Sequence, residues 1–403
     1  MKKWILVIAK WIYILGMMSQ LAPSLRAQDK VELFGYYESQ ILGTGLKGEF
    51  YQLFTNKLRV DLKSDISENI TFAANFDYIH YLGKTEWDIL DFLSEDLVST
   101  VPEEMRSFYI IPFSNEAFLD NAYIKFSFKA FDLTVGKQQI SLGTGYVWNP
   151  TDVFNIKDVL DPTYEQPGHT ALRVDVPVGS AYTLTALYSP EETWQKSTKL
   201  IQLKGNISRF DYHLIAVERI WPYHDYTEFD FENMNFLDVS EKRKMLGGST
   251  VGELVGLGVW AEYAYNWMAK SDNFYELVVG TDYTFDFQTY VMMEYYRNTL
   301  GKSDYKDYDI NDWMRVLAAE QKALCRDQAY VFVQHPATDL LSVGLQTVYC
   351  ISDNSVAFVP TLIYSLSDNV EVFAYLNFNL GKQGTVYGKN MGNAGLIRLR
   401  AYF

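Results

Sequence analysis

Apolar residues occupy every second position in one segment of this chain after another. Between Tyr51 and Lys63, Phe54, Leu58, Val60 and Leu62 share one side of an extended strand, and Lys57, Arg59, Asp61 and Lys63 share the other. Ile70 to Tyr81 sets Phe72, Ala74, Phe76 and Tyr78 against Thr71, Asn75 and Asp77. Asn121 to Lys129 sets Ala122, Ile124, Phe126 and Phe128 against Tyr123, Lys125, Ser127 and Lys129. Ile201, Leu203 and Ile207 oppose Gln202, Lys204 and Asn206, and Val372, Ala374, Leu376 and Phe378 oppose Glu371, Asn377 and Asn379. No helical period fits these segments. Strands of this kind need an apolar medium on one side and water or polar partners on the other.

Eighteen such segments are read, at 31–40, 52–63, 70–81, 119–129, 132–142, 170–177, 181–188, 198–207, 211–220, 242–252, 255–267, 273–285, 288–298, 328–335, 341–350, 355–364, 370–380 and 393–403. Connections after even-numbered segments are short, such as Ala130-Phe131, Val178-Gly179-Ser180 and Asp286-Phe287. Those after odd-numbered segments are mostly long, at 82–118, 143–169, 221–241 and 299–327. A β-sandwich has no reason to sort its loops by length in this way. A transmembrane antiparallel up-and-down β-barrel does, with short periplasmic turns, long extracellular loops and both termini in the periplasm. The expected fold is therefore all-β, one barrel domain over residues 28–403. The chain's 30 Tyr and 25 Phe suit the aromatic belts of such a barrel. After residue 27 no apolar run reaches the roughly 18 residues that a membrane helix requires.

The two ends point the same way. Lys2 and Lys3 precede an apolar stretch from Trp4 to Met18, interrupted by Lys10, and small and polar residues follow to Leu25-Arg26-Ala27. This order is that of a secretory signal cleaved after Ala27, the alternative being an uncleaved anchor. Its loss removes four positive charges (Lys2, Lys3, Lys10, Arg26) from a chain of net charge −15, leaving −19. So acidic a chain repels nucleic acid. At the other end Ile397, Leu399, Ala401 and Phe403 share one face of a last strand, with Arg398 and Arg400 on the other. A final strand ending in Phe resembles the signal that barrel-assembly machinery reads. The partners expected are that machinery, outer-membrane lipid and lipopolysaccharide, and a small polar solute.

A barrel of this strand number is too wide for side chains alone to fill. The residues expected to line it carry both signs. Lys57, Arg59, Lys63, Lys125, Lys137, Arg173, Lys204, Arg398 and Arg400 are basic, and Asp61, Asp77, Asp175, Glu262, Asp282 and Glu294 are acidic. Closure brings the last strand beside the first, so Arg398 and Arg400 approach Lys57 and Arg59 with Glu38 between them. Such groups either select charged solutes at a constriction or pair across the wall and only solvate it. The long loops are acidic, as in Glu86, Asp88, Asp91, Glu95, Asp96, Glu103 and Glu104, and helix-like content is read at Trp87–Leu97 and Asn311–Cys325. None shows the ligand spacing of a calcium site, and no metal or cofactor is expected. Strand register about the turn at Pro336–Asp339 puts position 325 nearly opposite 350. Cys325 and Cys350 are thus expected as a disulfide, with two free thiols as the alternative.

The stretch from Gly136 to Asn155, G-K-Q-Q-I-S-L-G-T-G-Y-V-W-N-P-T-D-V-F-N, resembles a segment of porin-like outer-membrane proteins related to alginate-export barrels. The resemblance covers about twenty residues and the architecture, and it implies an eighteen-stranded channel for passive or facilitated passage. Gly143 and Gly145 permit a sharp departure from the strand, and Pro150 ends pairing. Tyr146, Trp148, Asn149 and Asp152 would then form a constriction loop. Tyr146 and Trp148 either offer an aromatic surface to sugar rings or pack the loop on the inner wall, and packing is favoured. The functional expectation is an outer-membrane channel for small polar or charged solutes, saccharides or organic anions among them. Two other classes remain open. One is a plugged barrel acting as an adhesin. The other is an outer-membrane hydrolase, for which the chain offers His80 near Asp77 but neither G-x-S-x-G nor H-E-x-x-H.

Overall fold

The computed structural model describes residues 31–403, so the export signal read over residues 1–27 lies outside the described residues. Eighteen strands form one antiparallel sheet closed on itself. They are β1 Val31–Leu46, β2 Glu49–Ser67, β3 Ile70–Gly83, β6 Glu116–Ser127, β7 Asp132–Gln139, β8 Gly168–Val178, β9 Tyr182–Ser189, β10 Thr198–Ile207, β11 Phe210–Asp230, β12 Asn235–Leu254, β13 Leu257–Met268, β14 Phe274–Thr284, β15 Tyr290–Asn298, β16 Asp327–Pro336, β17 Leu341–Cys350, β18 Ser355–Ser367, β19 Val370–Leu380 and β20 Asn393–Tyr402. A two-stranded ribbon, β4 Glu86–Asp88 with β5 Ile110–Pro112, stands apart in the first long loop. Each barrel strand pairs with its sequence neighbour, and β20 closes on β1. Phe403 extends that seam, exchanging both backbone hydrogen bonds with Gly35 at 3.1 Å. Closure leaves no edge strand with unpaired backbone groups.

Parity decides what each strand shows to the outside. Phe76, Leu172, Ile201, Leu214, Leu246, Met293, Leu376 and Ile397 point outward and are 41–60% exposed. Neighbouring residues of opposite parity, such as Asp77, Gln202, Met245, Glu294, Tyr375 and Arg398, point inward and are buried. Aromatic residues crowd the outer wall near the short turns. Phe128 lies 4.7 Å from Phe131, Tyr283 meets Phe285 edge to face at 4.9 Å, and Phe285 stacks on Phe287 at 5.2 Å. An apolar band with an aromatic margin suits lipid with a headgroup boundary. Among the described residues no helix is long and apolar enough to cross a membrane.

The short turns, 128–131 and 179–181 among them, occupy one rim, and every long connection, at 84–115, 140–167, 299–326 and 381–392, occupies the other. One expected loop is corrected. Residues 221–241 form an extended hairpin in which β11 and β12 stay paired as far as Asp230 and Asn235, with one register shift between Asp225 and Phe229. It stands because other loops brace it. Tyr226 and Phe236 join Leu90, Leu93, Tyr109, Tyr308 and Trp313 in one apolar cluster over this rim. Helix Ile310–Leu317 packs there, closed by a capping box between Asp309 and Asp312. It is shorter than the expected Asn311–Cys325, and the chain turns at Ala319 with φ 55°. The expected Trp87–Leu97 helix is a 3₁₀ turn, Ile89–Phe92, followed by one α-turn, Glu95–Val98.

Cys325 and Cys350 are free thiols here rather than the expected disulfide. Register puts Cys350 opposite Gln328, and Cys325, which precedes β16 and bridges to Lys302, meets it there thiol to thiol as expected, without the bond between them. Both are 0% exposed within the rim cluster. Ellman's reagent should therefore titrate neither thiol in the folded protein and both after denaturation without reductant. Titration of none after denaturation would show the pair to be oxidised.

Candidate channel constriction

The loop over residues 140–167 runs across the barrel interior between inward-facing residues of two walls. It leaves β7 at Gln139 and turns at Gly143, where φ is +86° and a side chain would collide with the Glu262 carboxylate. At Gly145 the approach is closer still, because an added Cβ would lie 1.9 Å from the Trp148 carbonyl oxygen. Two inward-facing glutamates of the wall then hold the backbone. Glu262 accepts from the Thr144 N–H at 2.6 Å, the Gly145 N–H at 3.2 Å, the Thr151 N–H at 2.6 Å and the Thr151 hydroxyl at 2.8 Å. Glu294 accepts from the N–H groups of Tyr146 (2.7 Å), Val147 (3.0 Å) and Trp148 (3.0 Å), and from Trp260 Nε1 at 2.8 Å. Glu262 and Glu294 face inward but are covered, at 1% and 2% exposure, so they anchor the loop and do not line free space.

The loop is also tied to itself and to its neighbour. Asp152 accepts from the backbone of Leu142, Phe154 and Asn155, and Asn149 Nδ2 donates to the Leu142 carbonyl at 3.0 Å. Lys157 Nζ donates to the carbonyls of Gly145 and Tyr146, at 3.0 and 2.9 Å. From loop 299–326, Lys322 Nζ reaches the carbonyls of Asn149 and Pro150, at 2.6 and 3.1 Å. Trp148 is 3% exposed and stacks on Tyr296 at 5.1 Å with rings 7° from parallel. It is packed on the wall, so it offers no surface to a sugar. Tyr146 is half-buried beside Tyr330.

The far end of the loop docks on the opposite wall. There Glu38 of β1 pairs in register with Lys57 of β2 and Arg400 of β20. Lys57, Arg59, Arg398 and Arg400 are thereby brought together, and acids surround them. Arg400 Nη2 lies 2.5 Å from Glu38, and Lys57 Nζ 3.0 Å from Asp77. Arg59 reaches Asp61 at 2.9 Å and Asp120 at 3.2 Å. The loop adds Glu165, 3.2 Å from both Lys57 and Arg59 and accepting from the Tyr36 hydroxyl at 2.6 Å. It adds Asp161, paired with Arg398, and Tyr164, whose hydroxyl donates to Glu38 at 3.1 Å under the Arg398 guanidinium. Four cations thus meet six carboxylates, of which the loop brings two.

Burial and this docking set the charges of the loop's own groups. Burial lowers Lys157 below the usual lysine range and raises Asp161, with Arg398 opposing the rise. Burial also pushes Glu165 upward, but the Tyr36 hydroxyl and the Lys57 and Arg59 charges outweigh it, and the carboxyl ends below its ordinary value. Of the two loop acids that meet the basic cluster, Glu165 is thus held below its ordinary value and Asp161 above it.

The remaining sequence-read lining residues lie apart, nearer the short-turn rim. Lys125 pairs with Asp132 at 2.8 Å, Arg173 with Asp175 at 2.8 Å, and Lys63 with Glu32 at 3.8 Å. These pairs are partly exposed, and each is worth little in stability. Lys204 faces the same interior, and Asp282 accepts from the Tyr290 hydroxyl at 2.9 Å. Lys137 is a correction. Thr134 and Gln138 of β7 point inward and are buried, so Lys137 shares the outer face with Val135. Its ammonium bends to the Leu119 carbonyl at 2.8 Å. The hydrolase geometry is also absent, because Asp77 points inward while His80, three residues on, points outward beside Tyr78 and Leu82. Among the described residues no cluster of three or more metal-ligating side chains forms.

No family model matches the chain and no curated protein matches it. Solved structures do. OccAB4 of Acinetobacter baumannii superposes with a TM-score of 0.55 at 10% identity, over 93% of this chain and 98% of that one. A loop-deletion mutant of OmpT, an outer membrane protein of Vibrio cholerae, gives 0.46 at 9% identity over 93% and 99%. A triple mutant of the Rhodopseudomonas blastica porin gives 0.46 at 12% identity over 93% and 100%. The likeness to OccAB4 is one of fold.

Proposed function

We propose that this chain is an outer-membrane channel of a Gram-negative bacterium, exported with a cleaved signal, through which small polar or charged solutes diffuse. The observation that carries the reading is the loop over 140–167. It crosses the interior of a barrel that is apolar outside and charged inside, and both walls have residues built to hold it. A loop fixed at two walls narrows a wide lumen to a constriction of defined charge. The likeness of Gly136–Asn155 to alginate-export barrels supports passive or facilitated passage, with saccharides or organic anions as candidate solutes. The short turns would face the periplasm, and the outer band would meet lipid and lipopolysaccharide.

A second reading draws on the apolar cluster of the long-loop rim, which suits a barrel closed by its own loops and acting at the surface. Planar-bilayer recording separates the two. The purified protein should be soluble only in detergent and should give steady single-channel steps in salt. Folded protein that inserts without passing current would favour the closed barrel.

A further inference from the structure

One inward-facing pair makes no hydrogen bond to the constriction loop, although Phe154 of that loop lies beside it. Arg219 of β11 stands directly opposite Arg243 of β12 in the ladder. Like charges in that position repel and cost stability unless something of opposite sign lies between or beside them. Protein groups supply little. Among the described residues Arg219 makes one hydrogen bond, from Nε to the Ile220 carbonyl at 3.2 Å, and no ion pair. Arg243 is 7% exposed; its Nε donates to Asn266 at 2.7 Å, while Nη2 hydrogen-bonds to nothing and lies 3.6 Å from Glu276.

Both arginines line a cavity of about 440 Å³. Its acids are already engaged. Asp152 holds the loop backbone, Glu320 accepts from His224 and Tyr226, and Glu276 accepts from Tyr296 and pairs with Lys322. Three aromatic rings stand beside the two guanidinium groups. Phe154 lies 5.4 Å from the Arg219 guanidinium, and Trp221 and Phe274 lie 5.6 and 5.3 Å from that of Arg243. The geometry points to a binding site for a compact carboxylate with a flat apolar body. The guanidinium forks take its two oxygens and the rings take its face. The volume fits a solute of one ring and excludes a polymer. The inference rests on the channel reading for the solute's passage, but binding itself is independent of it.

Benzoate is the probe, with benzyl alcohol as its uncharged counterpart and inorganic phosphate as an anion without the ring. Calorimetric titration of the detergent-solubilised protein should show saturable benzoate binding, weakened at least tenfold in both Arg219→Gln and Arg243→Gln. Benzyl alcohol should not compete, and phosphate should bind more weakly than benzoate. Absence of benzoate binding, equal binding by Arg219→Gln, or phosphate binding as tight as benzoate would each overturn the site. Arg219→Gln keeps the test open should Arg243→Gln fail to fold, since Arg219 is the less buried of the two. Bilayer recordings separate this from the channel itself. Current that benzoate leaves untouched counts against the pocket alone. Absence of current counts against the channel, and the titration still decides the pocket.

Discussion

Replacing Glu262 and Glu294 together by Ala should open the channel, raising single-channel conductance several-fold and admitting larger sugars in liposome-swelling assays. The two carboxylates accept eight hydrogen bonds, all but one of them from the loop over 140–167. Hydrogen bonds to charged groups contribute about 1.5–3 kcal/mol each, and buried donors left without an acceptor cost about 1–3 kcal/mol. Val147 and Trp148 also pack on Trp260, Val278, Met292 and Tyr296, but that packing would keep the orphaned donors buried, and only departure from the wall rehydrates them. The loop should leave the wall and follow water. The barrel itself should survive, because its ladder bonds do not involve these side chains. Heat-modifiable mobility on a gel would check that. A folded double variant with unchanged conductance and unchanged sugar cut-off would mean that the loop does not limit passage. Glu262→Gln with Glu294→Gln should fall between, since each amide keeps one acceptor oxygen.

Much of this was legible in the sequence, for a reason that also marks where legibility stops. Alternation is local, so Lys57, Arg59, Asp61 and Asp77 could be set on the inner face from their own strands. The pairing of Glu38 with Lys57 and Arg400 followed from closure and an even strand count. What parity cannot give is the cover over an inward residue. Glu262 and Glu294 meet loop atoms more than a hundred positions away in sequence. Nothing in β13 or β15 distinguishes an anchor from a lining group. Asp161 and Glu165 are not among the residues read as lining, because the wall they reach depends on the path of their loop. Lys137 went astray because charge was read as inward at a rim, where a lysine on the outer face can bend to a backbone carbonyl. The hairpin over 221–241 lacked a clean alternation because both of its sides lie beyond the apolar band and answer to loop partners, such as Asn311 with Tyr226 and Glu320 with His224.

Replacing Arg398 and Arg400 by Ala should turn the channel strongly toward cations. The site holds four cations among six carboxylates, so removing two positive charges leaves Lys57 and Arg59 against Glu38, Asp61, Asp77, Asp120, Asp161 and Glu165. Arg398 and Arg400 are also the partners of Asp161 and Glu38. Breaking a buried pair on one side typically costs about 3–5 kcal/mol, because the other charge stays behind without compensation. Asp161 should then pull away from the wall, or take up a proton where it cannot. Reversal potentials under a salt gradient measure the outcome. They should be read near 0.1 M, where the screening length is about 10 Å and the field of the cluster still reaches a passing ion. Asp161→Asn with Glu165→Gln removes two charges of the other sign from the same place and should move the reversal potential the opposite way. If both double variants leave the reversal potential where it stands, the cluster braces the wall and the selectivity of the channel is set elsewhere.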